Sequence, residues 1–324
     1  MKALVCKKFG QENNLIVEEI SAPKINDEEV LIKVESAGLN FPDILCIRGD
    51  YQIKPELPFV PGGEGAGIIE SVGKNVKNLS IGDKVIFTGL VGAYAEYNNV
   101  NQHAVIKMPD IMTFEDGGGF SIVYATTYYA LNQKAKLKKE EILLVLGAAG
   151  GVGLAAVEIG KAMGAKVIAV ASTQEKLNIA KNHGADKLIN YVKDDLKSSV
   201  KEITNKNGAD VIYDPVGGSV SEQAFRSIAW EGRHLVIGFA GGEIHKLPLN
   251  LPLLKGASVV GVYWGAWALR NISENHKNMS ELFTLYKDKK IRPHIGGTFR
   301  LNNFKEAFSL LTKRQAIGKI IIKP

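Results

Sequence analysis

Gly147, Ala148, Ala149, Gly150, Gly151, Val152 and Gly153 stand between an apolar run, Ile142–Leu146, and small apolar residues at helical spacing over Val152–Met163. The run has the length and branching of a buried parallel strand. Glycine at such a turn lets the backbone close tightly, approach an anion and pack the helix on the strand, while the first helical N–H groups face phosphate oxygens. The order fits a G-x-G-x-x-G turn with Ala148 in place of the first glycine, and a second strand pattern, Lys166–Ala171, follows. The chemistry implied is capture of a dinucleotide pyrophosphate by Ala149, Gly150, Gly151, Val152 and Gly153. An ordinary tight strand-to-helix turn is the alternative.

The tip of the second strand selects the cofactor. NAD-binding folds place Asp or Glu about 20 residues after the glycines, on the ribose 2′-hydroxyl. Here the strand ends in Ala171, Ser172 and Thr173, with Glu175 beyond them and Lys176 beside it. A hydroxyl-bearing tip with a lysine suits a 2′-phosphate, so NADPH is expected over NADH, with Ser172 and Lys176 as its contacts. The competing reading makes Lys176 an ordinary solvated helix residue.

Composition is that of a globular protein, 45% hydrophobic and 23% charged over 324 residues, enough for two domains. The net charge of +6 is spread without a basic block, which favours small anionic ligands over a nucleic-acid surface. Cys6 and Cys46 are the only cysteines, implying no disulfide framework and fitting a reducing cytosol. The absence of a signal-like start and of a membrane-length apolar run leads to the expectation of a cytoplasmic protein.

The elements that must position these residues follow from the patterning. Short β-like runs broken by glycine, proline and charge fill residues 1–110: Glu29–Ala37, Ala66–Gly73, Asp83–Gly89 and Tyr94–Val100. From Phe120 onward helix and strand patterns alternate. They run from a helix over Phe120–Asn132, through the nucleotide turn, to Thr173–His183, Lys187–Ile189, Leu196–Thr204, Val211–Asp214, a helix over Ser219–Ala229 and a strand over Arg233–Ile237. This is the order of an α/β doubly wound parallel sheet, whose ligands lie at the carboxyl ends of its strands. Asp214-Pro-Val-Gly-Gly and Gly238-Phe-Ala-Gly-Gly follow two such ends, so Gly238 and Phe239 are expected on the nicotinamide side.

The order A-G-x-N-x-x-D at Ala37–Asp43, G-x-Y at Gly49–Tyr51, P-G-x-E-x-A-G-x-I at Pro61–Ile69 and G-D-x-V at Gly82–Val85 resembles the medium-chain dehydrogenase/reductase superfamily. The glycine turn, Asn190-Tyr191 and the Gly318-Lys-Ile ending extend the resemblance over nearly the whole chain. Asn40-Phe-Pro-Asp and Pro61-Gly-Gly-Glu look most like its zinc-independent NADPH:quinone oxidoreductases, the quinone oxidoreductase-like group. The resemblance implies a Rossmann domain at 119–290 and a GroES-like β-rich substrate domain at 1–118, completed by 291–324. It also implies that Tyr51 is an active-site tyrosine, that Thr126 lies near the nicotinamide and that Tyr191 lies near the adenosine phosphate.

Zinc-dependent members of the superfamily hold a catalytic metal with two thiolates and an imidazole. The matching positions here are Asn40, Gly63 and Gly118, which cannot ligate in that way, so no metal is expected. Without a Lewis acid, hydride transfer favours acceptors that delocalise the developing charge, namely quinones and α,β-unsaturated carbonyls. Asn40 could donate its amide to a substrate oxygen or the nicotinamide ribose, or could merely close a turn. Asp43 is expected to cap the following helical turn, and Glu64 to anchor the loop that carries it.

Three functions remain open. The leading one is NADPH-dependent reduction of quinones or other conjugated carbonyls. The second is enoyl-thioester reduction with Tyr51 as proton donor, and the third is a non-enzymatic cofactor- or RNA-binding role, for which no aromatic-and-basic motif is present. A β-branched run at residues 257–264 reads as the edge strand of the nucleotide sheet, and the family resemblance points to a homodimer joined through it.

Overall fold

The computed structural model describes residues 1–324, and the chain falls into two units, Met1–Ile122 with Pro293–Pro324, and Val123–Arg292. The first begins with an antiparallel pair, β1 (Lys2–Val5) and β2 (Ile16–Glu19). Then come β3 (Glu29–Leu39), α1 (Phe41–Arg48), β4 (Glu64–Val72), β5 (Lys84–Thr88), β6 (Tyr97–Asn101), β7 (Val105–Lys107) and α2 (Phe114–Gly118). In β3, Val30, Ile32 and Val34 alternate inward, as a strand with one covered face requires; from Ser36 to Leu39 every residue is buried. The expected strand at Tyr94–Val100 starts only at Tyr97. Tyr94 is instead fully buried, its hydroxyl turned to Asp43.

The boundary lies inside α3 (Ser121–Tyr128), which runs on as a π-helical turn over Tyr129–Lys134 where an uninterrupted α-helix was expected. The second unit then alternates β8 (Ile142–Leu146), α4 (Gly151–Ala162), β9 (Lys166–Ala171), α5 (Gln174–Asn182), β10 (Lys187–Asn190), α6 (Leu196–Ile203), β11 (Ala209–Asp214), α7 (Gly218–Phe225) and β12 (Ile228–Val236). It closes with α8 (Asn250–Lys255), β13 (Ser258–Gly261), α9 (Trp264–Arg270) and α10 (Ile272–Lys287). The six strands are all parallel, in the order β10-β9-β8-β11-β12-β13. The order reverses between β8 and β11, the switch point at which doubly wound sheets bind ligands.

Two sequence expectations in this unit are corrected. The helix expected over Ser219–Ala229 ends at Phe225, because the Ser227 carbonyl accepts from the Ala209 N–H at 3.0 Å and Ile228 pairs with Ala209, drawing the chain into β12. The strand expected over residues 257–264 spans only Ser258–Gly261. Tyr263 already accepts from the Trp267 N–H at 3.2 Å, opening α9. The strand is nonetheless the sheet's edge, as expected.

The chain re-enters the first unit through β14 (Ile295–Arg300), α11 (Phe304–Thr312) and β15 (Lys319–Lys323). These complete a seven-stranded sheet in which β15 pairs with β3, so the last strand of the chain lies directly beside the strand that leads to Asn40. Phe304, Phe308, Ile320 and Ile322 join Ile32, Ile44, Phe87 and Tyr94 in one core. No helix is long and apolar enough to cross a membrane.

Candidate active site

In the second unit the glycine turn has the geometry that an anion needs. Gly147 sits at φ +57°, where a side chain is strained, and a Cβ on Gly153 would overlap the Gly147 carbonyl oxygen. Gly150 is the N-cap of α4 without a side-chain cap bond, and the Leu154 N–H is the first to bond back into the helix, to the Gly150 carbonyl at 2.8 Å. The N–H groups of Gly151, Val152 and Gly153 therefore open the helix, with the positive end of its dipole behind them. Ala148 and Ala149 are buried, and the Ala148 N–H bonds to the Val170 carbonyl at 3.1 Å. The turn fits a pyrophosphate.

The residues expected at the adenosine end also converge. Ser172 follows β9 directly, and Thr173 caps α5 with its hydroxyl accepting from the Lys176 N–H at 3.3 Å. Lys176 lies in the first turn of that helix and is half-buried, so burial lowers its ammonium pKa, while Glu175 opposes the shift. The Tyr191 N–H bonds to the Ala171 carbonyl at 3.3 Å, placing Tyr191 next to Ser172. No carboxylate occupies residues 171–173.

The loops after β11 and β12 are zipped to each other. Asp214 is buried, and its Oδ1 accepts from the N–H groups of Val216 and Gly217 at 2.8 and 2.9 Å. Burial raises this carboxyl, but the bond to His234 at 3.1 Å and these backbone donors hold it below its ordinary range. The Gly238 N–H reaches the Asp214 carbonyl at 3.4 Å and the Gly241 N–H reaches the Val216 carbonyl at 2.8 Å. A Cβ on Gly217 would lie 2.9 Å from the Phe239 ring, so Gly217, at φ +73°, is what lets Phe239 settle there. Thr126 is half-buried on α3. Its neighbour Thr127, which the sequence did not single out, bonds to the Tyr213 hydroxyl at 2.8 Å and contacts the Val152 carbonyl at 3.5 Å, fixing α3 against the glycine turn.

In the first unit Asn40, Asp43 and Glu64 meet in a buried polar cluster, and Tyr51 lies beyond it at the far end of α1. Asn40 is the N-cap of α1, and its N–H donates to Asp43 Oδ2 at 2.8 Å, as a capping carboxylate should accept. Its amide does not await a substrate. Asn40 Nδ2 donates to the Gly38 carbonyl at 3.1 Å and to Glu64 Oε1 at 2.8 Å, and Asn40 Oδ1 accepts from Lys319 Nζ at 2.6 Å. The expected donation to a substrate oxygen would break one of these bonds in a residue only 6% exposed. Glu64 is an anchor, as expected, with Oε2 accepting from the Ile122 N–H at 2.7 Å. Tyr51 follows the left-handed Gly49 that ends α1, and its N–H bonds to the Leu45 carbonyl at 3.2 Å. Lys319 was missed as a site residue. Its only sequence signal is the Gly-Lys-Ile ending, 279 residues from Asn40.

A zinc would find no seat here. A Cβ on Gly118 would overlap the buried Ser36 hydroxyl, so a thiol at that position has no room, and Gly63 brings no donor side chain. Asn40 presents a carboxamide already bonded to a lysine.

Burial pushes the Asp43 carboxyl up to about 6, against the lowering effects of the Tyr94 hydroxyl, the Asn40 N–H and Lys319. A carboxyl whose folded pKa exceeds its ordinary 3.8 favours the fold in its protonated form, so its contribution is complete below about pH 4 and is lost as pH rises through about 6. Asp43→Asn, neutral throughout, should escape that loss. Denaturant unfolding of variant and parent should show the difference between them moving in the variant's favour by on the order of 2 kcal/mol from pH 4 to pH 7. Parallel profiles would refute the assignment.

The comparisons with known proteins agree with this geometry. Residues 26–110 match the alcohol dehydrogenase GroES-like domain, and residues 151–284 match the zinc-binding dehydrogenase model, although the residues at the metal position do not suit a metal. A quinone oxidoreductase-like protein 2 homolog of Nematostella vectensis is 39% identical over 99% of this chain and 88% of its own. Human quinone oxidoreductase is 34% identical over 99% of this chain and 97% of its own. The crystal structure of Escherichia coli quinone oxidoreductase complexed with NADPH superposes with a TM-score of 0.93 at 28% identity, covering all of both chains. The chain thus belongs to the medium-chain dehydrogenase/reductase superfamily and, within it, to the quinone oxidoreductase-like family of enzymes.

Proposed function

We propose that this enzyme uses NADPH to reduce quinones or similarly conjugated carbonyl acceptors without a metal. The observation that carries the reading is the open glycine end of α4 beside a β9 tip that offers Ser172 and Lys176 but no carboxylate. NADPH, when bound, supplies the hydride. Val152, with Ala149, Gly150, Gly151 and Gly153, holds its pyrophosphate; Ser172 and Lys176 take its 2′-phosphate, and Tyr191 flanks the adenosine. Gly238, Phe239 and Thr126 border the nicotinamide. On the first unit Tyr51 meets the acceptor, while Asn40 serves as the head of the helix that carries Tyr51. A conjugated acceptor suits such a site because it spreads the incoming charge and needs little further stabilisation. The family resemblance, and relatives named quinone oxidoreductases, support the same acceptor.

An edge-to-edge homodimer through β13 is part of this reading. The strand leaves Val259 49% exposed, and Tyr263 just beyond it 48%, on an unpaired sheet edge. Light scattering at micromolar concentration should give twice the chain mass, and a stable monomer would rule the dimer out.

Steady-state kinetics test the cofactor. Lys176→Ala should raise KM for NADPH by about 5- to 150-fold, the worth of one charged hydrogen bond, and leave NADH nearly unchanged. An unmutated enzyme indifferent between NADH and NADPH would overturn the choice. Tyr51 separates the acceptors. An enolate left by hydride addition to an enoyl thioester must be protonated at carbon, and a positioned acid contributes about 10²–10⁴-fold. A reduced quinone takes its protons on oxygen from water. Tyr51→Phe should therefore change quinone turnover only mildly; efficient enoyl-thioester turnover lost a hundredfold in this variant, with no quinone activity, would move the assignment to an enoyl reductase.

A further inference from the structure

We propose that Lys319 is a positioning residue for Tyr51, holding the head of α1 in place through its hydrogen bonds to Leu39, Asn40 and Glu64. The inference rests on the reading of Tyr51 as a substrate-side residue. Lys319 is 3% exposed and Glu64 wholly buried, and their charges meet at 2.9 Å. The ammonium points its three hydrogens at three oxygens: Leu39 O at 3.0 Å, Asn40 Oδ1 at 2.6 Å and Glu64 Oε1 at 2.9 Å. A tetrahedral ammonium can satisfy such a set from one nitrogen, whereas the flat fork of arginine cannot.

Stability alone does not account for this arrangement. A buried ion pair roughly cancels its own desolvation cost, and apolar replacements of like volume often do as well or better. What the pair does uniquely is fix geometry. Two of the three acceptors, Leu39 O and Asn40 Oδ1, belong to the residues that lead into α1. The same Glu64 oxygen holds the other end of the Asn40 amide, so the N-cap can neither rotate nor withdraw. From that fixed head α1 runs eight residues, about 12 Å at its usual rise, to Gly49, where Asp50 and Tyr51 bond back to Leu45 at 2.9 and 3.2 Å. The Lys319 nitrogen thus sets one end of a short rigid rod whose other end places Tyr51. A displacement near 1 Å at a substrate-positioning group can cost about 10²-fold in rate.

Lys319→Met and the double variant Lys319→Met/Glu64→Gln distinguish positioning from simple charge balance. In the single variant Glu64 loses its counter-charge, and melting temperature and quinone turnover should both fall. In the double variant the buried charge is gone, so melting temperature should recover. If Lys319 positions α1, kcat should stay at least about tenfold below the parent while KM for NADPH remains within about twofold. Amide hydrogen exchange over residues 40–51 should also be faster in both variants, with residues 142–171 unchanged. A double variant with parental kcat overturns the proposal whatever its exchange. Should the unmutated protein fail to reduce quinones with NADPH, the functional reading fails, and exchange over residues 40–51 alone decides the role of Lys319, parental rates overturning it. If either Met variant does not fold, Lys319→Arg, which keeps the charge but cannot bring one nitrogen to three acceptors, faces the same two outcomes.

Discussion

Glu64 is a carboxylate with no exposed surface, and a buried carboxylate must be answered on both oxygens. One oxygen takes Lys319 and the Asn40 amide, the other the Ile122 N–H. That demand brings together the last strand of the chain, the cap of α1, the start of β4 and the first turn of α3. Hydrophobic burial drives these segments inward without saying which atoms should face each other. The buried carboxylate adds that selection, because an arrangement that left it without partners would carry the full cost of its desolvation.

The glycines around this cluster record how tightly it is drawn. A Cβ on Gly38 would overlap the Gly118 carbonyl and lie 2.5 Å from Glu64 Oε1. Close approach of backbone to backbone, rather than a left-handed turn, is what these two glycines supply. It also explains why the family's metal position cannot be restored here by one change. Gly118 offers neither a ligand nor the space for one, since Ser36 fills it.

Legibility in the sequence followed the range of the interactions. The nucleotide turn, β8 and β9 lie within thirty residues of one another, and their glycines, branching and spacing foretold Ile142–Leu146 and Lys166–Ala171 to the residue. Elements decided by tertiary pairing were read less well. Residues 227–229 look helical alone but are captured by β11, and residues 262–264 look like strand but begin a turn into α9, where the Trp264 indole finds Asn275 at 3.0 Å. The polar cluster was half visible. Asn40, Asp43 and Glu64 share one stretch, and the capping role of Asp43 is legible from its place three residues after Asn40. The commitment of the Asn40 amide was hidden because Lys319, which accounts for its oxygen, lies 279 positions away.

That separation has a consequence for how the protein is made. The first unit is discontinuous, and the ribosome delivers Glu64 some 255 residues before it delivers Lys319. At a synthesis rate of about 5–20 residues per second, Glu64 waits on the order of ten seconds or more for its counter-ion. Throughout that interval β3 also lacks its neighbour β15, so a strand edge and an unanswered acid stand open together. The second unit is continuous, so all of its residues have emerged before Lys319 does. The first unit is therefore completed only after the whole of the second has been made, its beginning answered by the end of the chain.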